Sequence, residues 1–231
     1  MLIKHSMTDQ IYEIIKDRIL RGYYPLGAPI NISQITNELG ASNSPIREAL
    51  AKLEAESLVI KTNSRYQVIS ITDKFNEDLD QFLSMMIVGA LDLCEKKNKL
   101  PQLSMELHSA FLKQLQLKET GSDYEYLCAT INFDWTVIKV SENKVFESKF
   151  DELSKLVMLV VSNKHQNNAD INLNEHRDIL LAIDSMDIAL ARNLIIQHYD
   201  KPLSIYPLRE SLTAQTMQPP RGEQVSVNNS F

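Results

Sequence analysis

The chain has 231 residues, 44% of them hydrophobic and 23% charged, with a formal net charge of −6 at pH 7. That length allows two compact domains with separate cores, and the acidic balance excludes a protein coated along its length in nucleic acid. The longest apolar runs, Met85 to Ala90 and Leu156 to Val161, fall far short of the ~20 residues of a membrane span, and Cys94 and Cys128 build no disulfide framework, so membrane-spanning and disulfide-rich secreted classes are excluded as well.

Residues 1 to 10 (MLIKHSMTDQ) lack the apolar stretch of a secretory signal, and a cytoplasmic chain is expected. Ile11, Ile14, Ile15 and Ile19 then form a stripe at helical spacing, predicting a helix that opens near Thr8 and ends at Gly22. Gly27 and Pro29 mark a turn. A short second helix carries Ile32, Ile35 and Leu39 and stops at Gly40, a residue suited to the left-handed conformation after a helix end. In the following Ala41-Ser42-Asn43-Ser44-Pro45, Ser44 is expected as N-cap and Pro45 as first helical residue. The third helix buries Ile46, Ala49, Leu50 and Leu53 and turns Arg47, Ala51 and Glu54 outward.

After Leu58 the period changes. Val59 to Thr62 and Tyr66 to Ile71 read as two strands around the polar turn Asn63-Ser64-Arg65. Residues 72–76 (TDKFN) read as a polar connection. Six amphipathic helices follow, roughly at 77–97, 102–119, 123–141, 143–165, 173–184 and 187–204, without a strand signal. Residues 210–231, rich in Pro, Gln, Ser and Asn, have the composition of a disordered tail. The expected fold is mainly α: a winged helix-turn-helix of three helices and a hairpin at 8–72, then an all-helical bundle at 77–208.

Charge divides along the same line. Residues 1–72 carry 8 Lys+Arg against 7 Asp+Glu, and the remainder 16 against 23. A nearly neutral head and an acidic second domain fit a reader of double-stranded DNA that relies on a few placed cations and on homodimerisation. A reading helix lays its N-terminus in the major groove, where hydroxyls and backbone N–H groups meet phosphate and a long donor reaches base edges. Ser42, Asn43, Ser44 and Arg47 cluster at that end of the third helix. Arg47 in the first turn suits a bidentate contact to guanine, and Arg65 at the hairpin suits a phosphate or the minor groove. Taken alone, the same residues also read as a surface arginine and a helix cap.

The run from Gly27 to Val59, with Leu39-Gly40-Ala41-Ser42-Asn43-Ser44-Pro45-Ile46-Arg47-Glu48-Ala49-Leu50 at its centre and Leu53-Glu54-Ala55-Glu56-Ser57-Leu58-Val59 at its end, resembles the GntR family of bacterial regulators. Asn43 stands where that family usually has a second arginine, and an asparagine pairs more naturally with adenine. Ser57 replaces a common glycine, and the hairpin lacks the usual glycines. The resemblance implies a transcription regulator.

The helices beyond it resemble the FadR-like subgroup, whose FCD domain is a helical bundle that binds an effector, often beside a metal ion. The resemblance implies a ligand set. Its two later histidines fall on His176 and His198, while the family's earlier histidine falls on Asp134 and its aspartate on Thr130. Asp134, His176 and His198 can hold a zinc- or nickel-type ion through carboxylate and imidazole atoms. In the first bundle helix, where the family often has an arginine and a glutamate, this chain reads Phe82 to Val88, apolar apart from Ser84. Ser84 and Thr130 are thus the polar candidates for an effector pocket, and an uncharged effector, or none, is expected.

Two rival readings stand beside a ligand-responsive repressor on a near-palindromic operator. In one, the bundle only dimerises, and the histidines are hydrogen-bonded core residues. In the other, Asp134, His176 and His198 serve a metal-dependent hydrolase. Among the six glycines there is no P-loop, dinucleotide fingerprint or nucleophile elbow, which speaks against an enzyme.

Overall fold

The computed structural model describes residues 6–164 and 169–200. The tail expected at 210–231, and the last residues of the expected bundle, lie outside them.

The first element is helix α1, Met7–Leu20, held by a capping box in which Ser6 and Asp9 satisfy each other's backbone N–H groups. Its stripe of Ile11, Ile15 and Ile19 is buried against Ile46, Leu50 and Leu53 of helix α3, Asn43–Ala55. Between them lies helix α2, Ile32–Leu39, capped by the Asn31 side chain and ended by Gly40 in the left-handed region.

Three local expectations need correction. The N-cap of α3 is Ser42, not Ser44, and the Ser42 side chain makes no capping hydrogen bond. Pro45 is third in the helix rather than first, which is harmless because the N–H groups of the first turn have no intrahelical partner anyway. Ser44 is inside the helix, its hydroxyl donating to Glu48 at 3.1 Å. The second correction is the sheet. It has three strands in the order β1-β3-β2, because Pro29–Ile30 (β1) pairs antiparallel with Arg65–Val68 (β3), which also pairs with Val59–Thr62 (β2). The hairpin turn is Asn63-Ser64 alone, both at positive φ (49° and 66°) as a two-residue turn of inverted twist requires, and Arg65 opens β3 opposite Thr62.

The third correction concerns residues 72–76, which are no connection. The Thr72 hydroxyl accepts from the Phe75 N–H, and helix α4 runs Asp73–Lys96. Five further helices follow: α5 Leu100–Thr120, α6 Asp123–Val140, α7 Lys144–Lys164, α8 Ala169–Asp184 and α9 Ile188–Tyr199. Helix α6 is the centre of the bundle, packed on α4, α5, α7 and α8. Ten of its eighteen residues are buried, which its mixed apolar sequence dictates.

The head rests on this bundle through α1 and α7. Glu56, just past α3, accepts from the Tyr12 hydroxyl and from Lys155 of α7, both at 2.6 Å. The Arg21 guanidinium lies over the Tyr124 ring of α6 at 4.3 Å.

Candidate functional site

The N-terminal turn of α3 is built to face outward. Its buried residues begin at Ile46, so Ser42, Asn43, Ser44 and Arg47 are all exposed. Thr36 of α2 donates its hydroxyl to Asn43 Oδ1 at 3.0 Å, which leaves the Asn43 amide hydrogens directed away from α2. The Glu48 carboxylate accepts from the hydroxyls of Ser44 and Thr8, both at 3.1 Å.

The ion pairs sort the cations of the head. Lys16, Arg18, Arg21 and Lys52 each hold a carboxylate of the same unit. Among the described residues Arg47, Lys61 and Arg65 hold none, and all three are exposed, on the reading helix and the hairpin. Lys61 additionally lies 5.4 Å from the centre of the Tyr66 ring. Sequence reasoning found Arg47 and Arg65 but missed Lys61 and Thr36; alternation along β2 puts Lys61 on the face of buried Val59, and nothing local signals Thr36. Uncommitted cations beside a helix N-terminus can engage phosphate and base edges without breaking an existing pair.

A second constellation lies inside the bundle. Asp134 of α6, His176 of α8 and His198 of α9 bring one ligand atom each to within 4.8 Å of one another. His176 is fully buried, and its ring stacks on Phe133 with centroids 4.1 Å apart and planes 10° from parallel. The two imidazoles are 4.9 Å apart. Burial pushes the Asp134 carboxyl above its ordinary range, against the opposing pull of His198 and of a hydrogen bond from Tyr199. Burial likewise raises the Tyr199 phenol, helped by the neighbouring Asp134 charge.

Each histidine has a partner on its Nδ1 side. His198 Nδ1 is 2.7 Å from Glu175 Oε2, and His176 Nδ1 is 2.8 Å from Oε1 of Gln114. Gln114, fully buried on α5, also donates to the hydroxyls of Thr130 (3.1 Å) and Tyr126 (3.3 Å). Sequence reasoning missed Gln114, although it continues the buried stripe of Leu103, Leu107 and Ala110, where an apolar residue is the rule. Two imidazoles and one carboxylate are an ordinary three-ligand set for a zinc-type ion.

Ser84 and Thr130 are not together. Ser84 lines a cavity of about 710 Å³ between α4 and α9, with Glu77, Asp80, Met85, Ile196 and Tyr199. Thr130 is buried beside Gln114 and is not part of that lining. Tyr199 is the link, since it borders the cavity and donates to Asp134. The remaining lining residues, Gln81 and Asp200, add no cation.

A winged helix-turn-helix with uncommitted cations, seated on a helical bundle that encloses a histidine and carboxylate cluster, defines a two-part regulator of transcription. Residues 7–65 match the bacterial regulatory proteins of the gntR family, and residues 98–201 match the FCD domain. The chain belongs to the GntR family, in the group that carries an FCD domain, and is a DNA-binding regulator rather than an enzyme. It is 26% identical over 204 residues to a Paenarthrobacter nicotinovorans protein described as a probable D-xylose utilization operon transcriptional repressor, covering 85% of this chain and 87% of that one. Its fold is shared by a GntR protein of Rhodococcus sp. RHA1 (TM-score 0.69, 15% identity, 85% of this chain and 95% of the other). E. coli McbR/YncC is also similar (TM-score 0.64, 19% identity, 87% and 97%). Among the described residues no helix is long and apolar enough to cross a membrane.

Proposed function

We propose that the protein is a homodimeric, ligand-responsive repressor acting in the cytoplasm on a near-palindromic operator. Two copies related by a twofold axis place two reading helices on successive half-sites. In each, Arg47 reads a guanine, Asn43 reads a neighbouring base, Ser42 holds phosphate, Ser44 joins it by turning its hydroxyl away from Glu48, and Arg65 reaches from the hairpin. The repressor sense is supported by the name of the Paenarthrobacter relative.

In the bundle, Asp134, His176 and His198 hold a divalent transition metal of the zinc or nickel type. A bound ion supplies a Lewis-acid anchor for an oxygen or nitrogen of the effector. The chain's own residues do the rest: Phe133 fixes the His176 plane, Tyr199 connects Asp134 to the neighbouring cavity, and Ser84 offers a hydroxyl in a cavity lined without cations. An effector that is uncharged or carries an amine suits that lining better than a carboxylate.

The observation that carries this reading is the convergence of three ligand atoms from three helices within 4.8 Å, around the fully buried His176. Fragments of the source genome selected by the purified protein should share an inverted repeat, and metal added to that mixture should change its affinity. Binding that is indifferent to sequence overturns the operator reading, and affinity unmoved by zinc or nickel, with no metal taken up, overturns the sensor reading.

A further inference from the structure

The hydroxyl of Thr130 is 3.0 Å from the backbone carbonyl of Tyr126, an oxygen that can only accept, so the hydroxyl hydrogen is committed there. Toward Gln114, then, Thr130 Oγ1 can only accept. This orients the amide: the NH₂ group faces Thr130 and Tyr126, and Oε1 faces His176. An amide oxygen accepts, so His176 Nδ1 carries a proton, which in the neutral imidazole leaves the lone pair on Nε2. The Glu175 carboxylate at 2.7 Å likewise makes His198 Nδ1 a donor.

We infer that Gln114, oriented by Thr130, is a positioning residue that locks His176 as the Nδ1–H tautomer and presents Nε2 to a metal shared with His198 and Asp134. The inference rests on the metal reading above but concerns residues that touch no metal. It also gives Thr130 a function different from that of a ligand or pocket wall: its hydroxyl sets the direction of a hydrogen-bond chain that ends at a ligand nitrogen. An imidazole whose second nitrogen is held by an acceptor is better oriented and more basic toward a metal, and loss of such a partner typically weakens metal affinity 10–100-fold.

The test uses the full chain with ¹⁵N-labelled histidine. Long-range ¹H–¹⁵N spectra of the metal-free protein should show His176 as the Nδ1–H tautomer, and zinc titration gives the affinity. Gln114→Leu should produce a tautomer mixture and weaken zinc binding by about 10–100-fold. Gln114→Glu keeps an acceptor for Nδ1–H and should restore the tautomer and most of the affinity, with the Thr130 and Tyr126 hydroxyls turned to donate to its second oxygen. Thr130→Val, a smaller change should Gln114→Leu not fold, should loosen the amide orientation and weaken zinc binding by a smaller factor. An Nε2–H tautomer in the wild type, or zinc affinity unchanged in both Gln114→Leu and Thr130→Val, overturns the inference. Wild-type protein showing the Nδ1–H tautomer yet binding neither zinc nor nickel overturns the metal reading, and with it the purpose assigned to Gln114.

Discussion

Lys155 of α7 and Glu56 at the end of the reading helix form a 2.6 Å ion pair, about a third exposed on each side, that joins the bundle to the head. Tyr12 of α1 donates to the same carboxylate, so the end of α3, the first helix and the bundle meet at one residue. Burial alone would raise the Glu56 carboxyl, but the hydrogen bonds from Lys155 and Tyr12 outweigh it and hold the group below its ordinary value of 4.5. A depressed carboxyl contributes stability that is full above the unfolded value and fades as pH falls through the folded one. Glu56→Gln should therefore lower the melting temperature near neutrality, by an amount corresponding to about 1 kcal/mol, with the difference from wild type shrinking as pH drops below 4.5. Melting curves across that range check it; a difference that grows toward acid refutes it.

Arg47→Ala should weaken specific operator binding by about 1–3 kcal/mol and relax base preference at one position per half-site, as loss of a bidentate contact does. Arg65→Ala should weaken binding more evenly across sequences and flatten its salt dependence by about one phosphate contact. Binding isotherms at several salt concentrations separate the two. Equal operator affinity for wild type and Arg47→Ala removes Arg47 from the base-reading role.

Ser57 sits at φ 59°, where an L side chain is strained and where the family commonly has glycine. Replacing it should relieve that strain at some cost in unfolded-chain entropy, a net gain of about 0.5–1 kcal/mol. Denaturant midpoints of wild type and Ser57→Gly measure it. An unchanged or lowered midpoint means that contacts of the serine offset the strain.

Much of this architecture was legible because the apolar residues recur at helical spacing with few exceptions. Ile11, Ile15 and Ile19, or Ile46, Leu50 and Leu53, announce their buried faces directly. What escaped was short or tertiary. Strand β1 is two residues long and exists only because β3 lies beside it. The polar run 72–76 hides a helix start that becomes visible once Thr72 is read as a cap. Gln114 falls on the buried stripe of its helix, but its polar side chain has no evident partner until the structure places it at a crossing with α6 and α8. The ligand triad, in contrast, needed the family spacing. Nothing local links Asp134 to residues that follow two and three helices later.

Zinc or nickel added to metal-free protein should raise the melting temperature, because an ion that binds the native state alone stabilises it by mass action. Occupancy should be below one ion per chain as purified, since Thr130 stands where the family supplies a fourth ligand. His176→Ala should abolish the rise while leaving operator binding by the head largely intact. A wild-type melting temperature indifferent to both metals means that the histidines are structural.

Light scattering should give twice the 26.4 kDa chain mass at micromolar concentration. A single head with three uncommitted cations among its described residues gains too little from phosphate to hold a site alone. A monomer that still binds its operator tightly contradicts the argument.

The pairing of β1 with β3 ties the chain just ahead of α2 to the far strand of the hairpin. Reading helix and hairpin therefore behave as the two jaws of one caliper whose opening is set by the sheet and cannot be widened without breaking backbone hydrogen bonds. If both jaws engage the duplex, a site with the wrong groove width must itself bend or narrow to fit. Base pairs that no side chain touches would then still be selected, by how readily they deform.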